Sequence, residues 1–260
     1  MKKALRTLLP KVIPMPILRR VEAIVRRERP LGLHRVLPTG VKLTIDDRSD
    51  WTIYTDIFGD LEYDIPIDAV LADVSQGQPI RVLDLGSNVG FFTLRLFDRA
   101  RSVGLADDRL LVEAVEGSPI NVKRLRQNLS ESGIDLGSVR VHHALVGERT
   151  GSGHIIHYVD SGRSNALSGS TFASSVPYLD LSTVFDGEPV DLLKCDIEGS
   201  EELFLRTYPD LVARTKRAVF ELHPDLCDVP LCKRVIEANG LRTIRSLRHG
   251  EGYEVVYATR

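Results

Sequence analysis

The chain of 260 residues suits one α/β domain with an extension, because single hydrophobic cores stop growing near ~250–300 residues. Three cysteines, Cys195, Cys227 and Cys232, argue against a secreted disulfide framework, and no stretch approaches the ~18 apolar residues of a bilayer span. The expected location is therefore cytoplasmic. The formal charge of −2 hides an asymmetry: residues 1–36 carry ten Lys/Arg against Glu22 and Glu28, which leaves the remainder at −10. Residues 1–40 read as a basic N-terminal extension and residues 41–260 as the main domain. Such an arm suits contact with anionic lipid or nucleic acid, or it is a solvated helical extension covering one edge. Pro10, Pro14 and Pro16 break its apolar run, which disfavours a targeting segment.

In chain order, residues 41–45 and 51–58 read as short strands flanking a polar turn, a hairpin ahead of the core. Trp51, Tyr54 and Phe58 would then be core, or line an acceptor pocket. Residues 67–74 have helical spacing, ended by Gly77-Gln78-Pro79 before a strand over 80–85. A helix over 88–99, a strand over 110–115, a helix over 118–131 and a strand over 139–143 follow. The region 151–175 is rich in Gly and Ser, with one alternating run at 154–159, and a polar stretch of this length is usually functional or mobile. The pattern resumes with a strand over 190–196, a helix over 200–207, a strand over 216–222 and a helix over 229–238. Strands over 241–246 and 253–258 close the chain as an antiparallel edge. The alternation predicts an open, mostly parallel sheet with helices on both faces.

Three segments carry chemistry. The first is Val82-Leu83-Asp84-Leu85-Gly86-Ser87-Asn88-Val89-Gly90, an apolar strand entering an acidic, glycine-spaced turn and then a helix. Its G-x-x-x-G spacing departs from the G-x-G-x-x-G of dinucleotide sites. A carboxylate at Asp84 would repel a diphosphate but suits a ligand with ammonium and sulfonium charges, which points to S-adenosylmethionine. The second is Glu116-Gly117-Ser118-Pro119 at the next strand end, where Glu116 can accept from both ribose hydroxyls and Ser118 caps a helix with Pro at its first position. The third is Lys194-Cys195-Asp196-Ile197-Glu198-Gly199-Ser200-Glu201. A lysine and two acids converging at one strand end are costly unless they pair or act on a ligand, whereas Glu201 and Glu202 read as acids complementing a helix dipole.

These blocks, with Asn128 and with Tyr178-Leu179-Asp180, resemble the FkbM family of S-adenosylmethionine-dependent methyltransferases over about residues 80–223. The resemblance implies a Rossmann-like methyltransferase fold with a seven-stranded sheet. It also implies O-methylation of a sugar, glycolipid or secondary metabolite. Ser87 and Gly117 depart from residues common in the family, which touches the cofactor assignment little.

The cofactor-binding candidates are Glu62, Tyr63, Asp84, Gly86, Ser87, Asn88, Gly90, Glu116, Gly117, Ser118, Ala144 and Asp196. Methyl transfer from a sulfonium is an in-line displacement, and a positioned base contributes typically about 10²–10⁴-fold. Asp196 and Glu198 are the first candidates for that base, His223 the third, with Lys194 orienting or tuning the acids. Arg163 and Asn165 are candidates for binding acceptor hydroxyls. No metal is expected. Mg²⁺ on Asp196 and Glu198 stays an unfavoured alternative, and a zinc site of His223, Cys227 and Cys232 has poor spacing. The expected acceptor is a small molecule or glycan, not a nucleic acid. The alternatives are an RNA methyltransferase using the basic arm and a non-catalytic S-adenosylmethionine-binding module.

Overall fold

The computed structural model describes residues 31–73, 78–157, 164–165, 173–250 and 252–260. The expectations for residues 1–30, for 158–159 and for Arg163 lie outside them. Among the described residues one seven-stranded sheet organises the chain, built from β3 (Ile80–Leu85), β4 (Leu110–Glu116), β5 (Val139–His143), β9 (Leu192–Cys195), β10 (Arg217–Leu222), β11 (Thr243–Gly250) and β12 (Tyr253–Thr259). Their order is β11-β12-β10-β9-β3-β4-β5. The pairs from β10 through β5 are parallel, and β12 runs antiparallel to both β10 and β11. The expected sheet and its antiparallel edge are both present. β6 (Ser152–His157), β7 (Ser164–Asn165) and β8 (Ala173–Pro177) form a small sheet of their own.

Alternation along the central strands builds a core on each face. Ile80 and Val82 of β3 join one apolar cluster, while Leu83 and Leu85 join the other. The first face is covered by α1 (Arg48–Tyr54), α2 (Asp64–Ala72), α3 (Phe91–Ser102) and α4 (Pro119–Glu131). The second is covered by α5 (Glu201–Thr207), α6 (Pro209–Ala213) and α7 (Val229–Ala238). No helix of the described residues is long and apolar enough to cross a membrane.

The N-terminal hairpin differs from the expected one. β2 (Lys42–Ile45) pairs with β1 (Leu33–Val36), not with residues 51–58. Pro38-Thr39-Gly40 supplies the turn, with Gly40 left-handed and the Leu37 N–H on the Val41 carbonyl at 2.8 Å. Residues 51–58 are helical: Asp47 caps α1 by accepting from the Asp50 N–H at 2.9 Å, and a π-helical turn, Thr55–Gly59, continues it. Trp51, Tyr54 and Phe58 stand at i, i+3 and i+7, a helical period, and stack in series against Phe91. The aromatics therefore belong to the core. A short helix, α6, and a 3₁₀ segment, Leu181–Gly187, were also not foreseen.

Candidate functional site

The carboxyl ends of β3 and β4 form the first half of the site. Gly86 is left-handed, and a Cβ on it would stand 1.7 Å from the Asp196 carbonyl oxygen, so only glycine lets the two strand ends meet there. Gly90, also left-handed, opens α3 where a Cβ would strike Leu125 at 2.3 Å. Between them the Ser87 hydroxyl donates to the Asp84 carbonyl at 2.8 Å. Glu116 ties this turn to the next one: its carboxylate accepts from the Asn88 N–H at 2.8 Å and from the Ser118 N–H at 2.7 Å. Burial pushes its pKa up, and those two N–H groups oppose the shift. Ser118 caps α4, with Pro119 in its first turn, as expected. Gly117 lies against Leu145 and Ile155, and its carbonyl is 3.0 Å from His143 Nε2. The Ala144 N–H donates to the Glu116 carbonyl at 3.1 Å.

The ends of β9 and β10 form the second half. Parallel register sets Lys194 beside Asp84, and Lys194 is almost completely buried. Its ammonium donates to the Gly86 carbonyl at 2.7 Å and lies 3.2 Å from Asp196 and 3.7 Å from Asp84. Burial pulls the lysine pKa down, but Asp196, Asp84 and Glu221 outweigh it and hold the ammonium charged. Asp84 is fully buried, accepts from the Thr93 hydroxyl at 2.8 Å and has its pKa raised by burial against the pull of Lys194. Beyond it, His223 sits among three carboxylates, its Nε2 3.5 Å from both Glu198 and Glu221 and its Nδ1 3.5 Å from Glu201. Burial lowers the histidine pKa, yet Glu201, Glu221 and Glu198 carry it to about 11.

A third wall comes from the segment before α2. Leu61 is left-handed, and Glu62 follows it into a buried position where Arg248 of β11 donates at 2.8 Å. Arg248 also donates to Asp56 at 2.7 Å, so the sheet edge is bound to the π-helical turn. Burial, helped by Glu221 and opposed by Arg248, pushes Glu62 up to about 7. Tyr63 packs edge-on against Phe92 with ring centroids 5.3 Å apart. Burial raises its phenol pKa, as do the charges of Glu62, Glu221, Asp196 and Asp84, which ties the pair to the strand-end acids.

Asp84, Gly86, Ser87, Asn88, Gly90, Glu116, Gly117, Ser118 and Ala144 thus gather at adjacent strand ends. Lys194, Asp196, Glu198 and His223 gather beside them, and Glu62 and Tyr63 lie near enough to feel the charge of Glu221. Asn165 belongs to the separate small sheet. His142 is held by Glu113. Glu221 was not singled out, although residues 221 and 223 share a strand face by their spacing. Burial and Asp196 raise Glu221 to about 7 against the pull of His223. Glu201 is no surface acid of the helix dipole: fully buried, it accepts from the Gly199 N–H at 2.9 Å and the Ile197 N–H at 3.2 Å. Glu198 between them is left-handed, a strained conformation of the kind that clusters at functional sites.

The fold is the Rossmann-like methyltransferase fold. It is similar to the crystal structure of the methyltransferase FkbM from Methylobacillus flagellatus KT, with a TM-score of 0.51, 13% identity and 95% of this chain covered. This chain spans 60% of that one. Other similar structures are the N-terminal domain of EvdMO1 with SAH bound (TM-score 0.48, 16% identity, 93% of this chain and 96% of that one) and M. jannaschii TYW2 in complex with AdoMet (TM-score 0.45, 14% identity, 89% and 86%). No family model and no curated protein matches the sequence. At these identities the likeness concerns the fold.

Proposed function

We propose that this chain is an S-adenosylmethionine-dependent methyltransferase that methylates a hydroxyl of a sugar, glycolipid or secondary metabolite. The observation that carries the reading is the meeting of the Gly86–Glu116 turn system and the Lys194–Asp196–Glu198 cluster at one carboxyl edge, the place where open α/β sheets bind ligands. Glu116 has lone pairs left after its two N–H contacts, enough to accept from ribose hydroxyls. The acids Glu62, Asp84 and Asp196 suit a ligand carrying ammonium and sulfonium charges. S-adenosylmethionine, when bound, supplies a methyl group on a positively charged sulfur.

The chain's own residues then do the positioning. Lys194 fixes Asp196 at 3.2 Å and the first glycine turn at 2.7 Å, so cofactor and acceptor edges are set by one ammonium. Glu198, held in its left-handed turn and less buried than Asp196, takes the proton as the acceptor oxygen bonds to the methyl carbon. The electron pair of the broken carbon–sulfur bond stays on sulfur. The His223 ring, with Nε2 3.5 Å from both, restrains the flanking Glu198 and Glu221.

The test has two parts. Calorimetry is expected to show S-adenosylmethionine binding to the purified chain, and absence of binding overturns the reading. Incubation with labelled methyl donor and fractionated extract of the source cells is expected to label glycan, lipid or secondary-metabolite fractions, whereas label confined to RNA replaces the acceptor class.

A further inference from the structure

We propose that Asp196, Glu221 and His223 form a divalent-cation site whose open positions face the acceptor. One ligand atom from each residue lies within 4.8 Å of the other two. Neighbouring octahedral ligands stand about 3 Å apart at the ~2.1 Å bond length of Mg²⁺, so a small inward movement closes the set. The residues come from the adjacent parallel strand ends of β9 and β10, a rigid base for such a site.

Two further observations point to an occupant. A metal-bound imidazole usually gives its other N–H to a carboxylate, which fixes the ring. Here Nε2 faces Glu221 and Glu198, while Nδ1 faces the fully buried Glu201 at 3.5 Å. Glu201 is in turn aimed by the Ile197 and Gly199 N–H groups, which completes a shell behind the ring. Independently, Asp84 Oδ1 is a buried polar side-chain atom without a hydrogen bond. It is tied to this cluster through Lys194, the ammonium that also holds Asp196. Asp84, Asp196, Glu198, Glu201 and Glu221 surround Lys194 and the His223 ring, five carboxylates about two basic groups.

Two carboxylates and one imidazole suit Mg²⁺ or Mn²⁺ in an oxygen-rich octahedron. Three protein ligands leave room for two adjacent oxygens of an acceptor, such as a vicinal diol, and Glu198 stands beside them to receive the proton. The cation's part in methyl transfer rests on the proposed methyltransferase reading; its binding does not.

The experiment titrates the full chain with MnCl₂ in a calorimeter without S-adenosylmethionine, and one site per chain is expected. Glu221→Gln and His223→Gln are expected to abolish binding. Glu201→Gln is expected to weaken it about 10–100-fold while keeping the ring coordinated, and the exposed Glu237→Gln to leave it unchanged. Pulsed electron paramagnetic resonance of the Mn²⁺ complex is expected to show coupling to one imidazole nitrogen, lost in His223→Gln. Where a variant does not fold, the nitrogen signal of the unmodified chain decides. No Mn²⁺ binding, or binding without nitrogen coupling, overturns the site. S-adenosylmethionine binding is measured separately in EDTA: Mn²⁺ binding without it leaves the cation site and removes the methyltransferase reading, and the reverse removes the cation site alone.

Discussion

The two halves of the site are built from different materials. At β3 and β4 the contacts are backbone contacts: glycines that admit no Cβ, and a carboxylate whose two oxygens hold the N–H groups of Asn88 and Ser118. At β9 and β10 the contacts are charges at 3.2–3.7 Å, with His223 among three acids and Lys194 between two. The first half is shaped before any ligand arrives. The second gathers titratable groups whose state a ligand, proton or cation can change, so a substitution should damage shape in one half and chemistry in the other.

Gly86→Ala tests the shape half most severely. The added Cβ meets a backbone oxygen that cannot swing away, and the expected loss is about 4 kcal/mol or more, read from denaturant unfolding. A folded, ligand-binding variant would break the contrast. On the other side, Glu198→Ala is expected to keep S-adenosylmethionine binding and lose about 10²–10⁴-fold in turnover. Loss of binding instead would place Glu198 with the cofactor. Glu116→Ala orphans two N–H groups, each worth about 1–3 kcal/mol when buried. It should lower stability and cofactor affinity together, as seen by melting and calorimetry.

A smaller effect is expected at Glu62. Its carboxyl keeps its proton up to about pH 7 in the folded chain against an ordinary value near 4.5. The folded state therefore binds the extra proton between these values, and the associated stability, fully present below pH 4.5, is lost as pH rises through 7. Glu62→Gln should remove that part of the pH dependence, on the order of 3 kcal/mol, in unfolding measured from pH 4 to 8. Smallest of all, Glu198→Gly should be more stable than Glu198→Ala by about 1 kcal/mol, since only glycine occupies the left-handed turn freely.

This division also explains what could be read from the sequence. Asp84 to Gly90, Glu116 with Ser118-Pro119, and Lys194 to Glu201 are each local runs. A strand end, a turn and a helix cap leave signals within a few residues, and all three came together in space as expected. Glu221 carried no such mark, and Glu201, though it ends the third run, read only as an acid of the helix dipole, because the roles of both depend on His223 lying across a strand end. Arg248 had none at all, as its partners Asp56 and Glu62 are distant in sequence. The hairpin was misplaced for a simpler reason: the aromatic spacing at 51, 54 and 58 was read as a strand although its period is helical.

The Arg248 bridge has a consequence for how the molecule is assembled. Asp84 finds Thr93 nine positions away, whereas Arg248 reaches Asp56 across 192 and Glu62 across 186. Closing the longer loop from an unfolded chain costs roughly 3 kcal/mol more in entropy, and contacts of such separation slow folding. The glycine turn can therefore form early from its own neighbourhood. The wall that carries Glu62 and Tyr63 must wait for the opposite end of the sheet, so the ability to hold a ligand should appear later in refolding than the helices do.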